Sequence, residues 1–387
     1  MAEDADRVQG RLGWSLALAV AMMGFLAIEF LAPGGTAERD SSALRPIGPI
    51  PADAHYVSTT GSDSAAGTKT APWRTLAKAI ASVGPGETVV IEPGSYGARG
   101  TTTYFSSAGT ASAPITFRGN PAAPMPQILG HVRVDASYQR INYLLFDGPT
   151  GAAQPPTPDN PDGEQVQVSI LGTAVNGVEI SDSEIRNSGW HAGIYASTAN
   201  DVRITGNYIH DNGDFADPVQ ANASHGIYFS SGSGLIANNV IEHNVARGIQ
   251  LYTNPHDLLI ANNTVVANGK SGIQFGTETT NSTAVNNLVA YNGEYGIRSA
   301  SLTGTGNVVQ RNLVWGNPKG DLTLVDGLAL SDNLRADPGF GPSQSLRPPQ
   351  GSPAIDRALA PSAPPIDFDG VARPRGVAPD LGAFEVG

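Results

Sequence analysis

Along residues 178–317 apolar positions come in short bursts, each broken by an asparagine and a turn, and the pattern repeats. The units read VEISDSEIRNSG, VRITGNYIHDNG, LIANNVIEHN, LLIANNTVVANG, TAVNNLVAYNG and NVVQRNLVWGN. Their alignment puts Asp182, Asn207, Asn239, Asn263, Asn287 and Asn312 in one column, and Asn187, Asn212, Asn244, Asn268, Asn292 and Asn317 in a second, five residues later. A Gly-Ile pair follows each of the first five units, at Gly193, Gly226, Gly248, Gly272 and Gly296. The resulting period of about 24 residues lies in the range of solenoids. Side chains alternate across a strand, so Ile194, Ile227, Ile249, Ile273 and Ile297 should stack as a buried column about 4.8 Å apart. Tyr195, Tyr228, Gln250, Gln274 and Arg298 should then face outward. The asparagines are expected at turns, where amides hydrogen-bond from rung to rung and the left-handed backbone is tolerated.

The flanks break the period. Leu12 to Ala32 is an almost unbroken apolar run, long enough to cross a bilayer as a helix. It is expected to anchor a short cytoplasmic segment, 1–11, with the rest of the chain outside the cytoplasm. A secretory signal cut near Ala37 is the alternative. Residues 33–54, rich in Pro, Gly and Ser, read as a linker. From His55 the sequence predicts a strand and a helix beginning at Pro72, with Leu76, Ile80 and Val83 on its apolar side. Gly84-Pro85-Gly86 ends the helix, and a strand follows over Thr88–Ile91. A Pro-rich excursion spans 151–163. These opening residues, GSD, GT, PW and PGSY, resemble the N-terminal cap of the pectate-lyase-like, right-handed parallel β-helix superfamily. The resemblance implies an all-β solenoid over 55–320, opened by a capping helix that covers its first rung. The tail, 321–387, with DPGF, GSPAID, DFDG and DLGAFE, resembles the C-terminal segment of bacterial β-helix proteins. Asp367 and Asp369 in it read as turn residues.

Composition narrows the function. The 387 residues contain 46 Gly, 29 Pro and no Cys, and the formal charge is -12. Thiolate metal sites and disulfides are excluded, and an acidic chain is a poor partner for nucleic acid. Against this acidic background four potential cations, His191, His225, Arg247 and Lys270, fall at one edge of the Gly-Ile strands. An insertion, GDFADPVQANASH, sits just ahead of Gly226. Insertions in a solenoid often build the binding face. Cations beside an outward stripe of Tyr and Gln suit a uronate polymer. Its C5 proton needs a base, and the adjacent carboxylate needs cations to hold the developing charge. The expected catalytic set is His225 as base, Arg247 and Lys270 as carboxylate partners, and Tyr228 as proton donor. His191, Tyr195, Gln250 and Gln274 should bind substrate. The expectation is therefore an extracytoplasmic, monomeric polysaccharide lyase working by β-elimination.

A second constellation follows the third Gly-Ile strand: Tyr252-Thr253-Asn254-Pro255-His256-Asp257. It resembles the DPHD or DPHE motif of mannuronan C5-epimerases, which implies a catalytic role for His256 and binding roles for Tyr252 and Asp257. Asn254 stands where that family carries an acid. A uronate C5-epimerase is thus an alternative, as is a glycan-binding or structural surface protein without turnover. Ca2+ could be held by Asp211, Asp214 and Asp217, although their spacing matches no defined loop. A glycosidase would have to draw its two carboxylates from these aspartates or Glu278.

Overall fold

The structure, a computed structural model, describes residues 48–148, 166–217, 220–300, 303–323, 328–340 and 346–386. Among them, 25 strands pair in parallel, with one α-helix, α1 (Leu76–Ser82), and two 3-10 turns. Each rung passes through three faces. The first runs from His55–Val57 to Leu328–Ser331. The second runs from 95–97 to Leu313–Trp315. The third runs from 102–105 to Gly320–Thr323. The stack therefore continues past 320, through Gly320–Thr323 and Leu328–Ser331. The expected membrane run, 12–32, most of the linker and the 151–163 excursion lie outside the described residues. No helix among the described residues is long and apolar enough to cross a membrane.

The buried isoleucine column forms as the alternation predicts. Ile194, Ile227, Ile249, Ile273 and Ile297 pair in direct register, and each is fully buried. The asparagines form two internal ladders, one at each end of the second face. In the first, Asn239 Nδ2 donates to Asn263 Oδ1 (2.9 Å) and to Ile204 O (2.8 Å). Its Oδ1 accepts from the backbone N–H of Asn207 (3.0 Å). The second ladder repeats this through Asn212, Asn244, Asn268, Asn292 and Asn317.

Two details differ from the alignment. The left-handed residue is the one before each ladder position: Asp182, Gly206, Asn238, Asn262, Asn286 and Arg311 have φ of 50–65°. The ladder asparagines themselves are not left-handed. At the first unit the alignment is also displaced by one residue. Ser183 and Ser188, whose N–H groups donate to Asn207 and Asn212, hold the ladder places given to Asp182 and Asn187. Asp182 and Asn187 are instead the left-handed corners.

At the N-terminal end, α1 packs Leu76, Ala79 and Ile80 onto the core beside Val57, Val89 and Phe105. Thr75, not Pro72, begins the helix: its hydroxyl accepts from Lys78 N (3.1 Å), while Asp63 accepts from the backbone N–H groups of Arg74 and Thr75 (2.9 Å each). Pro72 lies ahead of it, where Trp73 bridges to Val57. At the other end, the C-terminal segment folds back along the outside of the second face. Leu346, Ala354, Phe368, Leu381 and Phe384 cover Val240, Val266, Leu288, Ala290 and Leu313. The outward residues of those rungs are apolar because protein, not water, lies over them. Asp367 serves this fold-back. Its carboxylate accepts from the N–H groups of Asp369, Val371 and Glu385, and Asp369 pairs with Arg347 (2.6 Å).

Candidate functional site

The outward stripe of the third face carries, rung by rung, Arg133, Ser169, Tyr195, Tyr228, Gln250, Gln274 and Arg298. Strand register thus sets Tyr195 beside Tyr228, with ring centroids 5.2 Å apart. His191, left-handed at φ 72°, lies against both, 4.9 Å from Tyr195 and 4.8 Å from Tyr228. His225 completes the group at 5.4 Å from Tyr228. Tyr252 lies in electrostatic range of the Tyr228 hydroxyl. Burial, reinforced by Tyr195, pushes the Tyr228 phenol up to about 12. Tyr228 is therefore a protonated, half-buried hydroxyl at neutral pH.

The cations gather at the edge where these strands begin. Arg247 Nε donates to Gln274 Oε1 (2.8 Å). Lys270 reaches Asn222 Oδ1 on the inserted loop and lies 3.7 Å from Glu294, which also holds Lys319 at 2.8 Å. The loop is shaped by its own side chains: Gln220 Oε1 accepts from Asp214 N (2.7 Å) and from the Ser224 hydroxyl (3.1 Å).

His225 departs from its expected role as base. It is 4% exposed, and its Nδ1 accepts the backbone N–H of Arg247 at 3.3 Å, which leaves the proton on Nε2. Burial, and then Arg247, His191 and Lys270, hold its pKa well below the usual imidazole value. At neutral pH it is a neutral hydrogen-bond donor. The imidazole left half-exposed beside Tyr228 is that of His191.

Other expected members are placed elsewhere. Gln250 and Gln274, expected to meet substrate, are only 5% and 8% exposed; Gln250 bonds to Leu251 O and Gln274 to Arg247. His256 and Asp257 pair with each other (2.9 Å) inside the strand Ile249–Ala261, where it turns from the third face to the first, away from the cationic edge. Asp211 is taken by His210 (2.6 Å). Among the described residues no three His, Cys, Asp or Glu side chains form a group able to hold a metal ion.

The sequence reading missed Glu294, which the 24-residue period places one rung after Lys270. It also missed Asn222, which no repeat could place. A polar network on the second face was missed as well. There His210 lies between Asp211 and Glu184 (3.3 Å) and stacks on Tyr208 at 3.9 Å, whose hydroxyl donates to Glu242 (2.6 Å). Because these residues align across rungs, their period-two spacing looked like ordinary strand alternation.

Residues 168–333 match the family described as Right handed beta helix region, and residues 59–104 match a family described as Protein of unknown function (DUF1565). Among solved structures, pectate lyase Pel9A aligns with a TM-score of 0.59 at 16% identity, over 86% of this chain and 96% of its own. The fold is a right-handed parallel β-helix, as in pectate lyase Pel9A. A mutant of the periplasmic alginate epimerase AlgG aligns at a TM-score of 0.45 and 14% identity, over 65% of this chain and 61% of its own. The protein YwoF of Bacillus subtilis (strain 168), described as uncharacterized, is 29% identical over 155 residues. These make up 40% of this chain and 28% of YwoF, so the match spans little more than a quarter of that relative. Identities this low speak to the fold alone.

Proposed function

We propose that this β-helix cleaves an acidic, uronate-containing polysaccharide by β-elimination on its third face. The observation that carries the reading is the pairing of the His191 imidazole with the protonated Tyr228 phenol beside a cationic edge. His191 takes the C5 proton, and the electron pair forms the C4–C5 double bond as the C4–O bond breaks. The leaving oxygen takes the proton of Tyr228. Arg247, close enough to act on the Tyr228 hydroxyl, and Lys270 supply the positive potential that the developing carboxylate charge needs. Tyr195 gives the sugar ring a flat apolar face. Uronate C5-epimerisation shares the first step and differs in returning the proton to C5.

The test is incubation with pectate, alginate and glycosaminoglycans, with and without calcium, followed at the absorbance of the unsaturated uronate. Absence of signal on every polymer refutes the lyase reading. Solvent deuterium entering C5 without chain cleavage would indicate the epimerase. A glycan-binding module without turnover is favoured by the exposed Tyr252 near Tyr228. It predicts saccharide binding that survives loss of His191 but falls when Tyr195 and Tyr228 are replaced. We place the β-helix outside the cytoplasm, held by 12–32 as an anchor or released after cleavage near Ala37. A reporter enzyme active only after export, fused to the C-terminus, tests this: an inactive fusion overturns the placement.

A further inference from the structure

The first face carries a second recess, far from the tyrosines because it opens on another side of the prism. Its floor is built from four adjacent strands: Thr88–Ile91, Ile115–Gly119, Gln139–Asn142 and Glu179–Ser181. Its two walls come from opposite ends of the described chain. The segment from Gly48 to Pro51 closes one side, where Gly48 O accepts from Arg118 Nη1 (3.0 Å), and Ile366 of the C-terminal fold-back stands at the other. The recess, open to solvent between these walls, has a volume of about 430 Å3, within the range of small-molecule sites.

The outward row along this face changes character with what covers it. Where the C-terminal segment lies over it, at Ala237, Ala261 and Val285, the row is apolar and packs against Leu359. Where the cavity lies over it, the same row reads Arg118, Asn142, Ser181 and Thr205. Asn142 is 95% buried by its 5% exposure, yet its Oδ1 has no hydrogen-bond partner, and its Nδ2 makes a single long bond to Ser181 Oγ (3.4 Å). Turning the amide over leaves the other head unpartnered instead. A buried amide head without a partner is destabilising, so a ligand group able to pair with it would be held there.

Charge selects the ligand. The lining holds Arg118 and Arg140 against Glu179 and Asp182, two positive and two negative. Arg140 and Glu179 lie 3.8 Å apart, and Asp182 acts on Arg118. The remaining polar groups are hydroxyls, Thr88, Thr116, Ser181 and Thr205, which both donate and accept. A charge-balanced cavity with hydroxyls and one open amide suits a ligand rich in hydroxyls and without net charge.

We infer that this first-face cavity is a binding site for a neutral saccharide, separate from the third face. It stands whether or not the third face turns over a polymer. Titration calorimetry of the full-length chain with cellobiose, maltose, galactose and N-acetylglucosamine tests it, with glucuronate and inorganic phosphate as charged comparators. The expected result is saturable binding of at least one neutral sugar. Asn142→Ala should weaken it by about tenfold, the loss of roughly one hydrogen bond to a buried group. Arg140→Ala, at a half-exposed position that does not threaten folding, should weaken it by a similar factor. Tyr228→Phe should leave it unchanged. The inference is overturned if no neutral sugar binds, if glucuronate or phosphate binds more tightly than every neutral sugar, if Arg140→Ala binds unchanged, or if the Tyr228 variant abolishes binding.

Discussion

The Asn ladder offers a perturbation whose size follows from named bonds. In Asn239→Ala the lost Nδ2 leaves Ile204 O without its side-chain donor, and the lost Oδ1 strands the backbone N–H of Asn207. Two neighbours keep a partner: Asn207 Nδ2 still donates to Ile180 O, and Asn263 Oδ1 still accepts from the backbone N–H of residue 239. Ile204 O keeps its place in the strand ladder, so one buried N–H is left unmatched, a destabilisation of about 1–3 kcal/mol. Urea unfolding followed by far-ultraviolet circular dichroism measures it. Hydrogen exchange at the Asn207 amide should accelerate selectively in the same variant. Asn239→Asp keeps the acceptor but loses both donations and buries a charge, so it should be no better than alanine. Asn176→Ala, at a half-buried corner outside the ladders, should change stability by no more than about 0.5 kcal/mol. A loss below about 1 kcal/mol in Asn239→Ala would refute the ladder as a source of stability.

Tyr228→Phe should lower turnover on the active polymer by about 100-fold or more while leaving the urea midpoint nearly unchanged, since general-acid donation supplies gains of that order; equal turnover would remove Tyr228 from the chemistry. Stability should have opposite slopes on the two sides of the ordinary imidazole pKa of 6.5. Burial opposes charge on His210, but its bonds to Asp211 and Glu184 outweigh this and raise its pKa, so its contribution is complete below 6.5 and is lost as pH rises through the raised value. His225 is depressed, so its contribution is complete above 6.5 and is lost as pH falls towards its lowered value. Melting curves of His210→Gln should flatten the alkaline limb and those of His225→Gln the acid limb; unchanged limbs would refute both assignments. Asp367→Ala strands three N–H groups, two of them buried, and should loosen the C-terminal segment, exposing Leu288 and Leu313 to a hydrophobic dye; undiminished stability would show that the carboxylate does not hold that segment.

Legibility differed between residues according to what sets their position. Ile227 and Asn263 were readable because each is fixed by its nearest neighbours, one rung before and one after. Tyr195 and Tyr228 were readable as an outward pair for the same reason. His225 was recognised as a member of the cluster but not as a donor, because its tautomer depends on the backbone N–H of Arg247, which is invisible until the rungs are stacked. His256 resembled a catalytic motif by its local string, yet its location is decided by where the strand turns from the third face to the first. Asn222 lies in the long insertion ahead of Gly226, where no period constrains the chain.

The sequence by itself determined the coil: a 24-residue period, apolar alternation and two amide columns specify stacked rungs, since each rung needs only its neighbours to satisfy its hydrogen bonds and bury its isoleucine. What lies over the faces of that coil was decided only in three dimensions. The C-terminal fold-back, the strap at Gly48 and the loop carrying Asn222 do not repeat, and their docking depends on contacts between residues far apart in sequence, 128 positions for Asn238 with Ile366, 70 for Arg118 with Gly48 and 48 for Lys270 with Asn222. Those coverings bring Asn222 to Lys270 and supply both walls of the polar recess on the first face. The repeat fixes the prism because its energetics are local, while the sites depend on lateral contacts that no period encodes.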